Sequence, residues 1–329
     1  MRGCADRHCH ARRSGNARRY RAARHRPYPG LVDCMRQHPL FGLALATFGA
    51  LMLTPDALFM RWSGMGGYQM VGWRGLLMGL VFLILWGLTS KHRLRDLGLL
   101  VSGYGIGVVV CQYANATLFS LGIANAPVAV VLCAVATVPV FAALFARLII
   151  GEPTRIATWI TIAVVLAGIA LAVFGGGHGE VTLDRAALWG ALAGLGVAMV
   201  LALNFVILRA QPQIPILLVI GLGAVLAGAS GVIVTGPALM LQGEVWAIAI
   251  CGLVILPVSF FSLSLASRYT HASNVSLLLL LETVLGPLWV WLGTGEGPTP
   301  MMLAGGVIVV ISLALYLWQT GRRRMARQT

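Results

Sequence analysis

Charged side chains are scarce in this sequence, and acidic ones are the scarcest. Only 10% of the 329 residues are charged and ten are Asp or Glu, whereas 58% are hydrophobic and the mean hydropathy is +0.86. A soluble domain carries about 25% charged residues, so this composition excludes an ordinary soluble protein. The alternating ten-residue segments of a membrane β-barrel are also missing. The composition therefore predicts an all-α integral membrane protein.

Cysteine and sequence motifs give no sign of a disulfide framework, a metal site or an enzyme. Three of the six cysteines lie before residue 35 and three lie inside apolar runs, where a free cysteine behaves as a small hydrophobe. A Cys/His cluster near the N-terminus lacks a second ligand pair at zinc-finger spacing. No metalloprotease, nucleophile-elbow or Walker motif is present. We therefore predict no metal, no cofactor, no nucleic-acid partner and no enzymatic activity.

Residues 1–34 differ from the rest of the chain. They hold nine Arg, no Lys and two Asp, without apolar periodicity, and Met35 then opens a short basic start followed by an apolar run. This leader could be a translated upstream region, an Arg-rich transit peptide, or a basic tail for anionic lipid or nucleic acid. We favour the first, because the Arg-rich, Lys-poor composition is typical of a GC-rich bacterial genome. The predicted functional protein therefore starts at Met35.

The remaining sequence contains apolar runs of the length that crosses a bilayer, about 20 residues. Ten are predicted, at 39–60, 71–89, 97–118, 127–149, 156–174, 186–208, 214–235, 245–266, 272–293 and 299–319. With both termini in the cytoplasm, twelve Lys or Arg after Met35 fall inside and three fall outside. This bias follows the positive-inside rule and predicts a bacterial inner-membrane protein with cytoplasmic N- and C-termini.

The chain resembles itself at a shift of 144 positions. The segment SLGIANAPVAVVLCAVATVPVFAALFARLIIGEP then aligns without a gap on SLASRYTHASNVSLLLLLETVLGPLWVWLGTGEG, and Gly151-Glu152 meets Gly295-Glu296. Each half has five predicted spans, an odd number, so the halves enter the membrane in opposite orientations. Inverted repeats of this kind are typical of secondary transporters with a site between the halves. We expect one five-helix repeat over 35–178, a second over 179–320, and a basic cytoplasmic tail at 321–329.

At this point the residues resemble a family. Two five-span repeats with Gly-Glu after each fourth span look like the EamA type of the drug/metabolite transporter superfamily, and so do LTPDALFMRWSG, WRGLLMGL and TVPVF, which contains Pro139. The resemblance covers residues 36–320 and implies that Pro139 and the two Gly-Glu pairs are structural. One departure is Leu281-Glu282-Thr283, where the family usually has Leu-Glu-Pro. Pro287, about one turn later, is the candidate to supply the missing bend.

Glu282 lies midway along the ninth predicted span. A charged acid at the membrane centre costs about 2.5–3.5 kcal/mol and five neighbouring leucines offset about 1.5–3 kcal/mol, so the span still inserts. Desolvation disfavours the carboxylate and favours the protonated acid. Two interpretations remain open: a neutral acid that holds helices together by hydrogen bonds, and a substrate or proton site facing a cavity.

Asp56 and Arg74 raise the same question nearer the outer leaflet. Arg74 could snorkel to the interface, or it could face a cavity, where it would bind a carboxylate or pair with Asp56. Thr54-Pro55 is expected to break the first span beside Asp56, which is tolerated where backbone lines a cavity or is buried in protein. Other candidates for the cavity are the polar or aromatic residues within spans: Trp73, Gln112, Tyr113, Asn115, Asn204 and Ser264.

The predicted function is a secondary transporter that acts by alternating access on a small molecule. The resemblance implies an exporter of amino acids or related small metabolites. Proton coupling is the expected energy source, with Glu282 and Asp56 as candidates, because no ATP site is present. The alternatives are a nucleotide-sugar or phosphorylated-metabolite carrier of the same ten-span plan and a non-transporting membrane scaffold. The expected partners are the lipid bilayer and a small-molecule substrate, for a monomer or homodimer.

Overall fold

The computed structural model describes residues 39–151, 185–270 and most of 275–312 (without 277, 296, 298–299, 302 and 309), with single positions between 160 and 171 and at 315. The described residues belong to one compact unit that begins at Pro39. Their regular elements are helical and are numbered here in chain order: α1 Pro39–Leu53, α2 Asp56–Ser63, α3 Gly67–Thr89, α4 Arg93–Leu100, α5 Gly103–Asn125, α6 Val128–Val135, α7 Val138–Ile150, α8 Arg185–Ala210, α9 Ile216–Thr235, α10 Pro237–Met240, α11 Val245–Ile250, α12 Leu256–Tyr269 and α13 Leu280–Thr294. A π-helical turn, Cys251–Ile255, joins α11 to α12.

Within this described part, seven helical segments are long and apolar enough to cross a membrane. They are Phe41–Ser63, Gly67–Thr89, Gly103–Asn125, Val128–Ile150, Arg185–Ala210, Ile216–Thr235 and Val245–Tyr269. These agree with seven of the predicted spans. Shorter apolar helices, Leu280–Thr294 and Leu303–Ser312, lie in the ninth and tenth predicted spans. The fifth predicted span, the leader and the basic tail lie largely or wholly outside the described residues, so the count of ten stays a prediction.

The third span begins later than the predicted start at residue 97. Residues Arg93–Leu100 form the separate short helix α4, which buries none of its residues. The membrane helix α5 starts at Gly103 behind an N-cap, because the Ser102 hydroxyl accepts a hydrogen bond from the Gly105 amide at 3.1 Å. Such a cap satisfies an amide that has no partner inside the helix. Hydropathy runs across this boundary, and the predicted start was therefore wrong by about two turns.

Four of the membrane segments are interrupted. A turn at Thr54–Pro55 separates α1 from α2, as expected, since proline has no amide hydrogen for the helical ladder. Thr54 replaces part of the lost bonding by donating its hydroxyl to the Leu51 carbonyl at 2.9 Å. A second turn, at Ala136–Thr137, separates α6 from α7. The π-helical turn before Pro257 is the third interruption.

The fourth interruption is the turn at Leu279, directly before α13. There the Glu282 amide donates to the Leu279 carbonyl at 3.0 Å, a three-residue step in place of the four-residue step of an α-helix. Pro287 lies inside α13, which continues to Thr294. The break therefore lies before Glu282 and not at Pro287, and the missing proline at position 283 is not required for it.

Helices α3 and α9 cross in contact, and small residues permit their close approach. A methyl group built on Gly75 would lie 2.5 Å from the Gly228 amide nitrogen, and one on Gly231 would lie 2.4 Å from the Gly72 amide nitrogen. Rising numbers on one helix meet falling numbers on the other, so the two helices are antiparallel. Small residues at the contact are the usual device for packing helices closely in lipid.

We predict that Gly75→Ala destabilises the protein, because the new methyl group collides with backbone and cannot be accommodated by a side-chain rotation. Overpacking of this kind costs about 1–3 kcal/mol. The matched control is Gly87→Ala on the same helix, where the added methyl meets nothing within 4 Å. Thermal unfolding of both purified variants in detergent checks the prediction, and equal midpoints would contradict it.

Candidate functional site

A small cavity lies where the interrupted helices meet. Its lining comes from α1, α2, α3, α5, α6, α8, α9, α12 and α13. The cavity has a volume of about 40 Å³, enough for roughly three water molecules. The polar residues of the lining are Asp56, Arg74, Gln112, Asn115 and Glu282. All five were candidates from the sequence, and the structure brings them to one place.

Arg74 and Asp56 form a buried ion pair at the cavity wall. Arg74 Nη2 donates to Asp56 Oδ2 at 2.7 Å, and the two residues are 6% and 0% exposed. The other terminal nitrogen of Arg74 contacts the Met60 sulfur, and the guanidinium carbon lies 5.3 Å from the centre of the Phe119 ring. Of the two alternatives for Arg74, the structure therefore shows the cavity-facing cation paired with Asp56, and not a snorkelling side chain.

The two buried acids occupy similar local positions. Asp56 lies in the first turn of α2 and Glu282 in the first turn of α13, and each of these helices begins directly after a break in a membrane segment. The N-terminal end of a helix carries partial positive charge, which favours a carboxylate there. Discontinuous membrane helices whose ends point at a central site are typical of secondary transporters. The breaks therefore place both acids at helix ends facing the same cavity.

Two side-chain oxygens of the cavity lining, one of them on the ion-paired Asp56, have no hydrogen-bond partner among the described residues. They are Asp56 Oδ1 and the side-chain oxygen of Gln112, on residues that are 0% and 1% exposed. Buried acceptors without a partner cost free energy. The lining thus offers unsatisfied acceptors to whatever enters the cavity.

The remaining sequence candidates lie elsewhere. Trp73 donates its indole N–H to the Met240 carbonyl at 2.7 Å, and the hydroxyl of the half-exposed Tyr113 lies 3.3 Å from the Ser230 hydroxyl. Asn204 and Ser264 are buried, each with a side-chain oxygen lacking a partner among the described residues, but they do not line the cavity. Within the described part of the chain, no three His, Cys, Asp or Glu residues come together as a metal site.

Apolar members of the lining were missed from the sequence. The aromatic walls are Phe119 and Phe260, with Met78 and Leu256 beside them. The same apolar residue types occur in membrane helices whether they face lipid, a neighbouring helix or a cavity. The sequence therefore gave no signal that these residues line the cavity.

Both glycines of the Gly-Glu pairs end a helix. Gly151 and Gly295 are the C-caps of α7 and α13, in the left-handed region with φ of +79° and +76°. Glycine is favoured there because it lacks a Cβ. Pro139 lies in the first turn of α7, a position where its missing amide hydrogen costs little. Glu152 and Glu296 lie outside the described residues.

An arginine-to-carbonyl hydrogen bond lies at each end of the bundle. Arg61 Nη2 donates to the Ala126 carbonyl at 2.9 Å, and Arg209 Nη1 donates to the Thr270 carbonyl at 2.8 Å. Thr270 packs beside Gly42, at the start of the first span, whereas Arg61 lies near the end of that span. The two contacts, called here the Arg61 latch and the Arg209 latch, therefore close opposite ends of the bundle.

Comparison with known proteins agrees with this architecture. Residues 40–174 match the model of the EamA-like transporter family. This part of the chain belongs to that family. Together with the membrane helices, this match supports a membrane transporter whose first part is EamA-like.

Two transporters align with this chain. The uncharacterized transporter YdfC of Bacillus subtilis is 26% identical over 245 residues, which cover 71% of this chain and 77% of YdfC. The uncharacterized inner membrane transporter YedA of Escherichia coli is 32% identical over 141 residues, which cover 42% of this chain and 44% of YedA. A crystal structure shares the fold, with a TM-score of 0.61 over 86% of this chain and 97% of that one, at 18% identity.

We predict that removing either member of the Asp56–Arg74 ion pair alone destabilises the protein. Asp56→Asn or Arg74→Gln leaves one buried charge without its partner, which costs about 3–5 kcal/mol. The double variant is expected to lose clearly less than the sum of the two single losses, because no charge is left unpaired. Thermal midpoints in detergent for the four proteins of this cycle test the prediction, and additive losses would contradict it.

Proposed function

We propose that this EamA-type transporter is a secondary exporter of amino acids or related small metabolites across a bacterial inner membrane. The observation that carries the proposal is the cavity between broken helices, with two buried acids and one buried arginine. Ionisable groups inside a membrane bundle are costly and are typically retained for transport or proton transfer. The cavity is too small for an amino acid as it stands, so the bundle has to open for substrate to enter.

The proposed mechanism is alternating access by two inverted repeats, over 35–178 and 179–320. Gly151 and Gly295, which are 144 positions apart, end their helices in the same conformation. The breaks at Ala136–Thr137 and at Leu279 agree within one residue in the same register. These similarities support a repeat of local structure as well as of sequence.

The crossing of α3 and α9 supports the inverted relation of the repeats. A methyl group on Gly79 would lie between residues 221 and 225 of α9, at 2.8 Å from the Gly221 carbonyl oxygen and 2.7 Å from the Val225 amide nitrogen. The residue between them, Gly223, is the 144-position equivalent of Gly79. Gly79 and Gly223 therefore lie at the same level of the crossing, near the middle of both helices, as a two-fold relation between antiparallel helices requires. Gly223 itself faces α5, where an added methyl group would lie 2.6 Å from the Val109 carbonyl oxygen.

The Arg61 and Arg209 latches support the proposal that a gate lies at each end of the bundle. Ala126 and Thr270 are 144 positions apart, and Arg209 lies one helical turn beyond the equivalent of Arg61. In the proposed cycle one latch breaks while the other holds, so that the cavity opens to one side at a time. With the termini in the cytoplasm, as the distribution of basic residues favours, the Arg61 latch closes the outer end and the Arg209 latch closes the inner end.

Proton coupling through Glu282 is the proposed energy source. Glu282 is 4% exposed and lines the cavity, so in the proposed cycle its proton is exchanged through that cavity. The chain has no Walker motif, so the proposal relies on an ion gradient rather than on ATP.

The rival carriers fit the cavity less well. A carrier of phosphorylated metabolites needs cavity cations that are free to bind phosphate. Arg74 is the basic residue of the lining, and Asp56 already neutralises it at 2.7 Å. A scaffold has no need of two acids in a membrane cavity, where each must be desolvated.

We predict that the two latches have opposite effects on access. In a cysteine-free background carrying Ala116→Cys, a lining position, Arg61→Ala is expected to increase labelling by a membrane-impermeant maleimide from outside intact cells. Arg209→Ala is expected to decrease it, because the inner end then opens. Arg185→Ala, at an exposed position, is the control. Equal labelling of both latch variants and the parent would contradict the gating proposal.

We predict that overexpression of the parent protein raises the concentration of specific amino acids or amines in the medium, as measured by mass spectrometry. Glu282→Gln is expected to abolish uphill export but to leave part of the downhill exchange, because glutamine cannot carry the proton. Glu244→Gln is the matched control, since Glu244 is exposed and bonds the Trp246 indole. Export by none of these proteins, with normal membrane insertion, would contradict the proposed function.

A further inference from the structure

The net charge of the cavity lining does not favour binding of an anion. The ionisable residues of the lining are two acids, Asp56 and Glu282, and one base, Arg74. Arg74 and Asp56 neutralise each other at 2.7 Å, which leaves the charge of the cavity to Glu282. The cavity is therefore neutral when Glu282 is protonated and carries one negative charge when it is ionised.

The guanidinium of Arg74 is already surrounded. Asp56 accepts from one terminal nitrogen, the Met60 sulfur contacts the other, and the Phe119 ring covers the group at 5.3 Å. A substrate carboxylate could bind Arg74 only by displacing Asp56, which would leave that buried carboxylate without its counter-ion. The sequence-based expectation that Arg74 captures a carboxylate is therefore disfavoured by the geometry.

The unsatisfied atoms in the lining are acceptors. Asp56 Oδ1 and the Gln112 side-chain oxygen have no partner among the described residues, and both residues are at least 99% buried. A ligand that completes these sites must therefore bring hydrogen-bond donors. A protonated amine brings three donors and a positive charge, and the apolar lining with Phe119 and Phe260 suits its hydrocarbon body.

We propose that the cavity recognises its substrate through a protonated amine, bound between Glu282, Asp56 Oδ1 and Gln112, and that no substrate carboxylate is required. The inference rests on the proposed transport function and narrows its substrates to amines and amino acid derivatives with an amine anchor. Binding exchanges charges: the ammonium group enters, Glu282 transfers its proton to water, and the resulting carboxylate pairs with the ammonium. Substrate and proton therefore compete for one carboxylate.

The other groups around this site set its electrostatics. Arg74 and Asp56 face it from α3 and α2 as a neutral pair, and the Cys251 thiol lies against the Asp56 backbone carbonyl, with a sulfur–oxygen distance of 3.7 Å. Glu282 is thus the group in the lining whose protonation state can change the charge of the cavity while the Asp56–Arg74 pair stays intact.

The test compares four probes with one hydrocarbon body: 3-methylbutylamine, leucine amide, leucine and 4-methylpentanoate. The purified full-length protein in detergent is mixed with each probe at millimolar concentration in weakly buffered solution. Binding is followed by the shift of the thermal midpoint, and proton release by a pH indicator. Both amines without a carboxylate are expected to bind and to release protons, whereas 4-methylpentanoate is expected to do neither.

Binding of 3-methylbutylamine is expected to tighten as the pH rises from roughly 6 to 8, since the amine stays protonated there while competing protons become fewer. Glu282→Gln is expected to weaken amine binding by about tenfold or more, the loss of a charge-assisted hydrogen bond, and to abolish proton release. Glu244→Gln, with the same chemical change on an exposed residue, is expected to bind like the parent.

Binding of 4-methylpentanoate without binding of the two amines would overturn the inference. A parent protein that binds neither amine would also overturn it, and so would proton release that is unchanged in Glu282→Gln. The assay does not depend on transport. Amine binding with proton release but no export would therefore contradict the transport function alone, whereas export of carboxylates without amines would contradict the amine inference alone.

Discussion

The buried ion pair between Asp56 and Arg74 is the constraint on which the arrangement of this bundle depends. Two charges removed from water are tolerated only when they neutralise each other and find further partners. Bringing them to 2.7 Å requires the break in the first span, which places Asp56 in the first turn of α2, and it requires the second span to present Arg74 at the same depth. Met60 and Phe119 then enclose the guanidinium from the first and third spans.

The cavity follows from the same constraint. Interrupted helices cannot pack along their whole length. The turns at Thr54–Pro55, Ala136–Thr137 and Leu279 replace the regular helical hydrogen bonds and leave space between the helices. The close contact of α3 and α9 compensates at the neighbouring position, where Gly75 and Ala224 belong both to the crossing and to the cavity wall. Tight packing on one side and irregular backbone on the other produce a small cavity that brings five polar residues together in an otherwise apolar bundle.

Several parts of this arrangement could be predicted from residue types. Hydropathy placed seven of the membrane helices, because a span must be apolar over a fixed length. The break beside Asp56 was predictable because proline cannot donate to the ladder. The start of the third span was not, since Leu97, Leu99 and Leu100 continue the hydropathy although they belong to the separate short helix α4. The break at Leu279 has no adjacent proline, so residue types alone gave no signal for it.

The sequence by itself determined that the chain is an all-helical membrane protein, and it marked Asp56, Arg74, Gln112, Asn115 and Glu282 as unusual, because polar groups in a membrane helix have a cost that apolar ones do not. Only the tertiary structure decided that these five share one cavity and that Arg74 is occupied by Asp56. It also showed that Trp73 and Tyr113 lie elsewhere, while Phe119 and Phe260 form the aromatic walls. The physical reason is that the cost of a buried charge can be read from one residue, whereas its compensation depends on partners from other helices, which only folding brings within hydrogen-bonding distance.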